Sequence, residues 1–171
     1  MHTQHTAIIT GSTGGLGQLL VKEMINNRSL LPNYRFVLLG RDSDKLTELR
    51  KTLDGQREVI LEACDLSILN NQLSLANAYG LGASVIIHLA ADFGSTTKIT
   101  ETVDVAEIQN TFLVNVVLFQ NLVRAAVTEM IRVGFGRAIA ISSTAGLYPY
   151  PQRESYAATK HALNGLTQTI D

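Results

Sequence analysis

Tyr156 and Lys160 stand four residues apart in the stretch "ESYAATKHALNGLTQTID" (154–171), a spacing that puts both on one face of a helix. A lysine ammonium beside a phenol favours the phenolate, and a phenol that can visit both forms serves as proton donor or acceptor. The pair alone is also a common surface pattern. What sharpens it is "AISSTAG" (140–146), which ends a β-branched run and so belongs at the carboxyl end of a strand, where α/β sheets hold ligands. Ser143, thirteen residues before Tyr156, could donate a hydrogen bond to a carbonyl oxygen beside that tyrosine. If strand alternation holds that far, Ser142 points the other way.

A second constellation lies near the start. "TGSTGGLG" (10–17) falls between a predicted strand and a predicted helix. Glycines there allow a tight turn and let backbone amides approach a pyrophosphate, whose charge a helix N-terminus favours. No lysine follows them, which argues against a Walker-type loop for ATP or GTP. The next strand ends "LLGRD", with Arg41 first and Asp42 second. An acidic residue at that point suits a ribose 2′-hydroxyl, whereas arginine suits a 2′-phosphate and can stack on adenine. Arg41 therefore points to NADP over NAD, with a solvated charge and an Asp42 helix cap as the plainer alternative.

The elements that must position these residues follow from hydrophobic periodicity. Strands are predicted at 6–10, 35–40, 58–65, 84–91 and 136–143. Between them come a helix with Leu16, Leu19, Leu20, Met24 and Ile25 on one side, then helices over 42–53, about 67–79 and about 104–133. Asp42 or Ser43 is a plausible cap for the second, and a last helix starts near Glu154 or Ser155. The polar loop "DFGSTTKITET" follows the fourth strand. This β-α alternation predicts one domain over 1–171, a doubly wound parallel sheet with helices on both faces.

Composition agrees. The chain is 46% hydrophobic and 17% charged, with net charge −1, so it is globular and has no basic surface for nucleic acid or polybasic membrane anchor. "VIIHLAA" and "FLVNVVLF" are too short as apolar runs to span a bilayer. The start, "MHTQHTAIITG", lacks the pattern of a secretory signal. One cysteine, Cys64, excludes an internal disulfide and suits a reducing compartment; a cytoplasmic protein is expected.

Taken in order, "TGSTGGLG", "CDLS" (64–67), Asn115, "ISSTAG" (141–146) and "YAATK" (156–160) resemble the short-chain dehydrogenases/reductases, in particular their classical branch, along essentially the whole chain. The resemblance implies a Rossmann-like fold and hydride transfer between NADP(H) and a carbonyl or secondary alcohol, with no metal. Tyr156 would exchange the proton, Lys160 would favour its ionised form and hold the nicotinamide ribose, Ser143 would orient the substrate, and Asn115 would support a water relay. Cofactor contacts would come from Thr10, Gly11, Ser12, Thr13, Gly15, Leu16 and Gly17, from Arg41, Asp65 and Leu66, from Ala90 and Ala91, and from Tyr156 and Lys160. Asp65 would meet the adenine. A homo-dimer or homo-tetramer would form through the long helix and the last one.

Two features depart from that pattern. "HLAA" (88–91) stands where classical members carry "NNAG", which looks like the extended branch of sugar-nucleotide epimerases and dehydratases. "NVVLFQNLVRAA" leans the same way, while the short Ser143-to-Tyr156 gap is classical; His88 is then expected to be structural, near the adenine ribose. Family members also continue beyond the last helix with two more strands and a substrate loop. The sequence is thus expected to be the N-terminal portion of a longer enzyme or a shortened form. A dinucleotide-binding module without catalysis and a sugar-nucleotide epimerase or dehydratase relative are the competing readings.

Overall fold

The computed structural model describes residues 5–96 and 104–170. Five parallel strands, β1 (His5–Thr10), β2 (Tyr34–Gly40), β3 (Val59–Ala63), β4 (Ala83–His88) and β5 (Arg137–Ala140), form one sheet in the order β3-β2-β1-β4-β5. Helices α1 (Gly15–Asn26), α2 (Ser43–Lys51), α3 (Leu69–Tyr79), α4 (Val105–Phe112), α5 (Leu118–Val133) and α6 (Glu154–Thr169) make the crossovers and cover the faces. The strand order reverses between β1 and β4, and a doubly wound sheet opens a crevice at that point.

Strand alternation splits the core in two. Ala7, Ile9, Phe36, Leu38, Val85 and Ile87 meet Val21 and Ile25 of α1 and Leu46 and Leu49 of α2. Ile8, Val37, Leu39 and Ile86 point the other way, onto Leu118, Phe119, Leu122 and Ala126 of α5 and Leu163 of α6. Buried on both faces, the central strands read as continuous apolar runs, as parallel strands do.

The elements match the predicted order; β1 and β2 each begin one residue earlier, whereas β3, β4 and β5 are shorter than predicted. β3 stops at Ala63 because its partner, β2, ends at Gly40, whose carbonyl takes the Cys64 N–H at 2.9 Å. Asp65 then accepts from the Ser67 amide and hydroxyl at 2.9 and 2.7 Å, a local turn that delays α3 to Leu69. β4 ends at His88 because Leu89 and Ala90 bond to Thr10 through its carbonyl and hydroxyl. Asp42 caps α2, accepting from the Asp44 and Lys45 amides at 3.0 Å each. The end of the loop after β4, 97–103, lies outside the described residues.

Two expectations are corrected. In α1 the buried line is Gly17, Val21 and Ile25, whereas Leu16 and Leu19 are 58% and 70% exposed. A Cβ at Gly17 would collide with the Gly11 carbonyl oxygen, so backbone contact at Gly17 turns that line to the sheet. The long helix expected over about 104–133 forms as one continuous helical stretch, Val105–Val133, and with 29 residues and mean hydropathy 1.4 it is long and apolar enough to cross a membrane, which the short apolar run "FLVNVVLF" within it was not. Its apolarity is taken up by the sheet, against which Leu118, Phe119, Leu122 and Ala126 are completely buried. A single π turn, Leu113–Val117, interrupts it around Asn115; such bulges are frequent at functional sites.

Candidate active site

A cleft of about 1000 Å³ opens along the carboxyl ends of the strands, drawing residues from Gly11 to Lys160. Its floor is the glycine turn. Gly11 has φ +68°, and a Cβ there would lie 2.6 Å from the Ala90 nitrogen, so glycine is required on both counts. Gly15 has nothing within 4 Å of its Cβ position and faces open space. The first bond of α1 runs from the Gln18 amide to the Gly14 carbonyl, leaving the amides of Gly15, Leu16 and Gly17 ahead of the helix ladder, and Gly14 supplies no side-chain cap. A helix N-terminus left open above a glycine cradle fits a pyrophosphate.

Thr13 and Leu16 line the cleft; Thr10 and Ser12 do not. Both are fully buried, Ser12 donating its hydroxyl to the Leu39 carbonyl at 3.0 Å. They brace the turn from behind.

At the β2 end, Arg41 lines the cleft with Asp42, Lys45, Asp65, Leu66 and Ser67. Lys45 was not expected from the sequence. Its signal was available: it sits one turn into the helix that Asp42 caps, beside the end of β2. Two hydrogen bonds from Ser67 hold the Asp65 carboxyl below the usual range, with the nearby Arg41 charge adding to them.

At the other end, Tyr156 and Lys160 of α6 are 6% and 2% exposed, and both line the cleft. Lys160 Nζ donates to the Ile141 carbonyl at 2.9 Å and lies 5.6 Å from the Tyr156 ring centroid. Burial pushes the Lys160 ammonium down from its ordinary value. The Phe93 ring lies 4.8 Å from that of Tyr156, and Tyr150 lies at 6.4 Å. Phe93, like Asp92, belonged to a loop read only as polar.

The serines differ from expectation. Ser142 lines the cleft beside Tyr156, and its buried hydroxyl has no hydrogen-bond partner. Ser143 Oγ accepts from the Ala145 amide at 3.1 Å, capping the short turn Thr144–Gly146, and lines a smaller recess with Leu147 and Asn164. The strand ends at Ala140, and this turn replaces the geometry that alternation assumed.

Asn115 is completely buried behind the cleft. Its Oδ1 accepts from the Asp92 amide at 2.7 Å, and its Nδ2 donates to the Asp92 carbonyl and the Thr159 hydroxyl at 2.8 and 2.9 Å. It thereby ties the loop after β4 to α6. His88 is also buried behind the wall and does not line the cleft, whereas Leu89, Ala90 and Ala91 do. His88 Nε2 lies 3.3 Å from the Asn115 carbonyl, which can only accept; Nε2 therefore carries the proton and Nδ1 accepts from Thr10 Oγ1 at 2.9 Å. Burial first, and the Lys160 charge second, push this imidazole down to about 4.

The short chain dehydrogenase family profile matches residues 5–171. The chain belongs to the short chain dehydrogenase family. D-beta-hydroxybutyrate dehydrogenase of Rhizobium meliloti is 28% identical over 172 residues, covering 96% of this chain and 64% of that protein. An uncharacterized oxidoreductase of Schizosaccharomyces pombe is 31% identical, covering 98% and 54%. A metagenomic short-chain oxidoreductase solved in complex with NADP superposes with TM-score 0.82 at 29% identity, covering 98% of this chain and 75% of that one. The short chain dehydrogenases are NAD(P)-dependent oxidoreductases. The chain spans about half to two thirds of the length of these two curated relatives.

Proposed function

We propose that the chain carries the cofactor half and the proton-transfer group of an NADP-preferring reductase acting on a carbonyl or secondary alcohol. One observation carries the reading: Tyr156 and Lys160 are buried in the same cleft that the glycine turn and Arg41 line. The pyrophosphate would rest on the amides of Gly15, Leu16 and Gly17, and Arg41 with Lys45 would pair with a 2′-phosphate. When bound, the nicotinamide gives or takes the hydride. Tyr156 donates its hydroxyl proton to the substrate oxygen in reduction and recovers it in oxidation. Lys160, held by the Ile141 carbonyl, places its positive charge beside the phenolate that remains. Ser143 is the substrate-orienting residue by family pattern; Ser142 also lines the cleft, but its hydroxyl is buried close to Gly146 and is not presented to it.

Asn115 acts as a positioning residue here, because its three amide bonds hold Asp92 and Thr159. The capped position of Ser143 favours a second reading, dinucleotide binding without turnover. A homo-dimer or homo-tetramer through α5 and α6 is proposed on the exposure of Val127 and Ile131, and a cytoplasmic setting on the single thiol, Cys64.

Calorimetric titration should show NADPH binding more tightly than NADH. Binding of neither overturns the proposal. In a turnover screen with small ketones, Tyr156→Phe should lower the rate about 10²- to 10⁴-fold while NADPH still binds. Equal rates would remove Tyr156 from the chemistry, and no rate in either, with NADPH bound, selects the binding module.

A further inference from the structure

The loop leaving β4 carries Phe93 into the cleft, and three separate elements hold its backbone. Asn115, in the π turn, grips both backbone atoms of Asp92, whose own Oδ1 accepts from the Gly94 amide at 3.0 Å. Glu107 of α4 accepts from the Ser95 amide at 2.9 Å. Arg153, just ahead of α6, donates from Nη1 to the carbonyls of Phe93 and Gly94 at 3.1 and 2.8 Å. Gly94, at φ +59°, allows the loop to turn between these anchors.

The ring so fixed is not core. Phe93 is 56% exposed while packed against buried Tyr156, the two rings tilted by 30°, and it lines the cleft. Tyr150, 50% exposed, adds a second ring tilted 57° to Tyr156. A carbonyl oxygen hydrogen-bonded to the Tyr156 hydroxyl has its carbon within about 4 Å of that oxygen. Substituents on that carbon then reach the rings around Tyr156. A flat π-faced substituent stacks there with favourable geometry that a puckered ring of equal carbon number lacks.

We propose that Phe93 forms an aromatic platform that receives the substituent of the reacting carbonyl, making aryl ketones and their aryl carbinols the substrate class. The inference rests on the carbonyl-reductase reading above. It is tested on the chain saturated with NADP⁺, on which a ketone cannot be reduced, after NADP⁺ binding has been measured by calorimetry. The probes are acetophenone and cyclohexyl methyl ketone, with affinities from ligand-observed NMR. Acetophenone should bind roughly three- to tenfold more tightly. Phe93→Leu should remove that preference, and Phe93→Tyr should retain it; the ratio within each variant cancels any general loss of affinity. Equal affinity for the two ketones in the unaltered chain, or a preference that survives in Phe93→Leu, overturns the platform. A chain that binds NADP⁺ and neither ketone overturns the platform alone, whereas one that fails to bind NADP⁺ overturns the cofactor reading and the platform with it.

Discussion

Burial sets the charge state of His88. Folded, the imidazole titrates at about 4; unfolded, it returns to its ordinary 6.5. Above pH 6.5 both states carry a neutral ring, so pH does not act through it. Between 6.5 and 4 the unfolded chain takes up a proton that the folded one refuses. Stability therefore falls as pH falls through that window, by up to about 3 kcal/mol from this group. Urea unfolding at pH 7 and pH 4.5 should show the loss, and His88→Gln should make it smaller. A second residue-scale prediction concerns Arg41 and Lys45. Replacing either by alanine should weaken NADPH binding about tenfold and leave NADH nearly unaffected, as calorimetry with both nucleotides would show. Legibility at this scale was uneven. Tyr156, Lys160 and the glycines declare themselves by spacing, because helix and turn geometry are local. The division of labour between Ser142 and Ser143 does not, since it depends on where β5 yields to the Thr144–Gly146 turn.

For an element, the instructive contrast is within the first turn of α1. Gly17 has no room for a methyl group beside the Gly11 carbonyl, whereas Gly15 has open space. Gly17→Ala should cost on the order of 1–3 kcal/mol and lower the melting temperature. Gly15→Ala should leave stability unchanged or slightly raised, while weakening NADPH binding because the methyl enters the cleft. Thermal unfolding paired with nucleotide titration checks both. The strand–helix alternation was readable because buried parallel strands are continuous apolar runs and α2 has a visible cap. The face of α1 was not: a leucine count names Leu16 and Leu19, but the glycine contact across the chain decides which side turns inward. The π turn was equally hidden, because nothing in "FLVNVVLF" distinguishes it from regular helix.

At the scale of the molecule, the sheet of the described residues has β5 at one edge, where Ile139 is 44% exposed and is followed by Ile141 at 39%. An apolar edge with unpaired backbone groups invites another strand. The 171-residue chain should therefore associate with rising concentration, and Ile139→Lys should reduce that association in light scattering without altering NADPH affinity. The cleft has a different consequence. Its walls come from the turn after β1, the ends of β2 and β4, the segments before α3 and after β5, α4 with the π turn, and α6, so it is spread over residues 11–160 and forms only when the whole sheet does. Ligand binding there is linked to global unfolding: at a hundred times its dissociation constant, NADPH should add about 2.7 kcal/mol to the folded state. Melting temperature then serves as an affinity gauge, and a nucleotide concentration series in a simple heating experiment ranks candidate cofactors without any knowledge of the substrate.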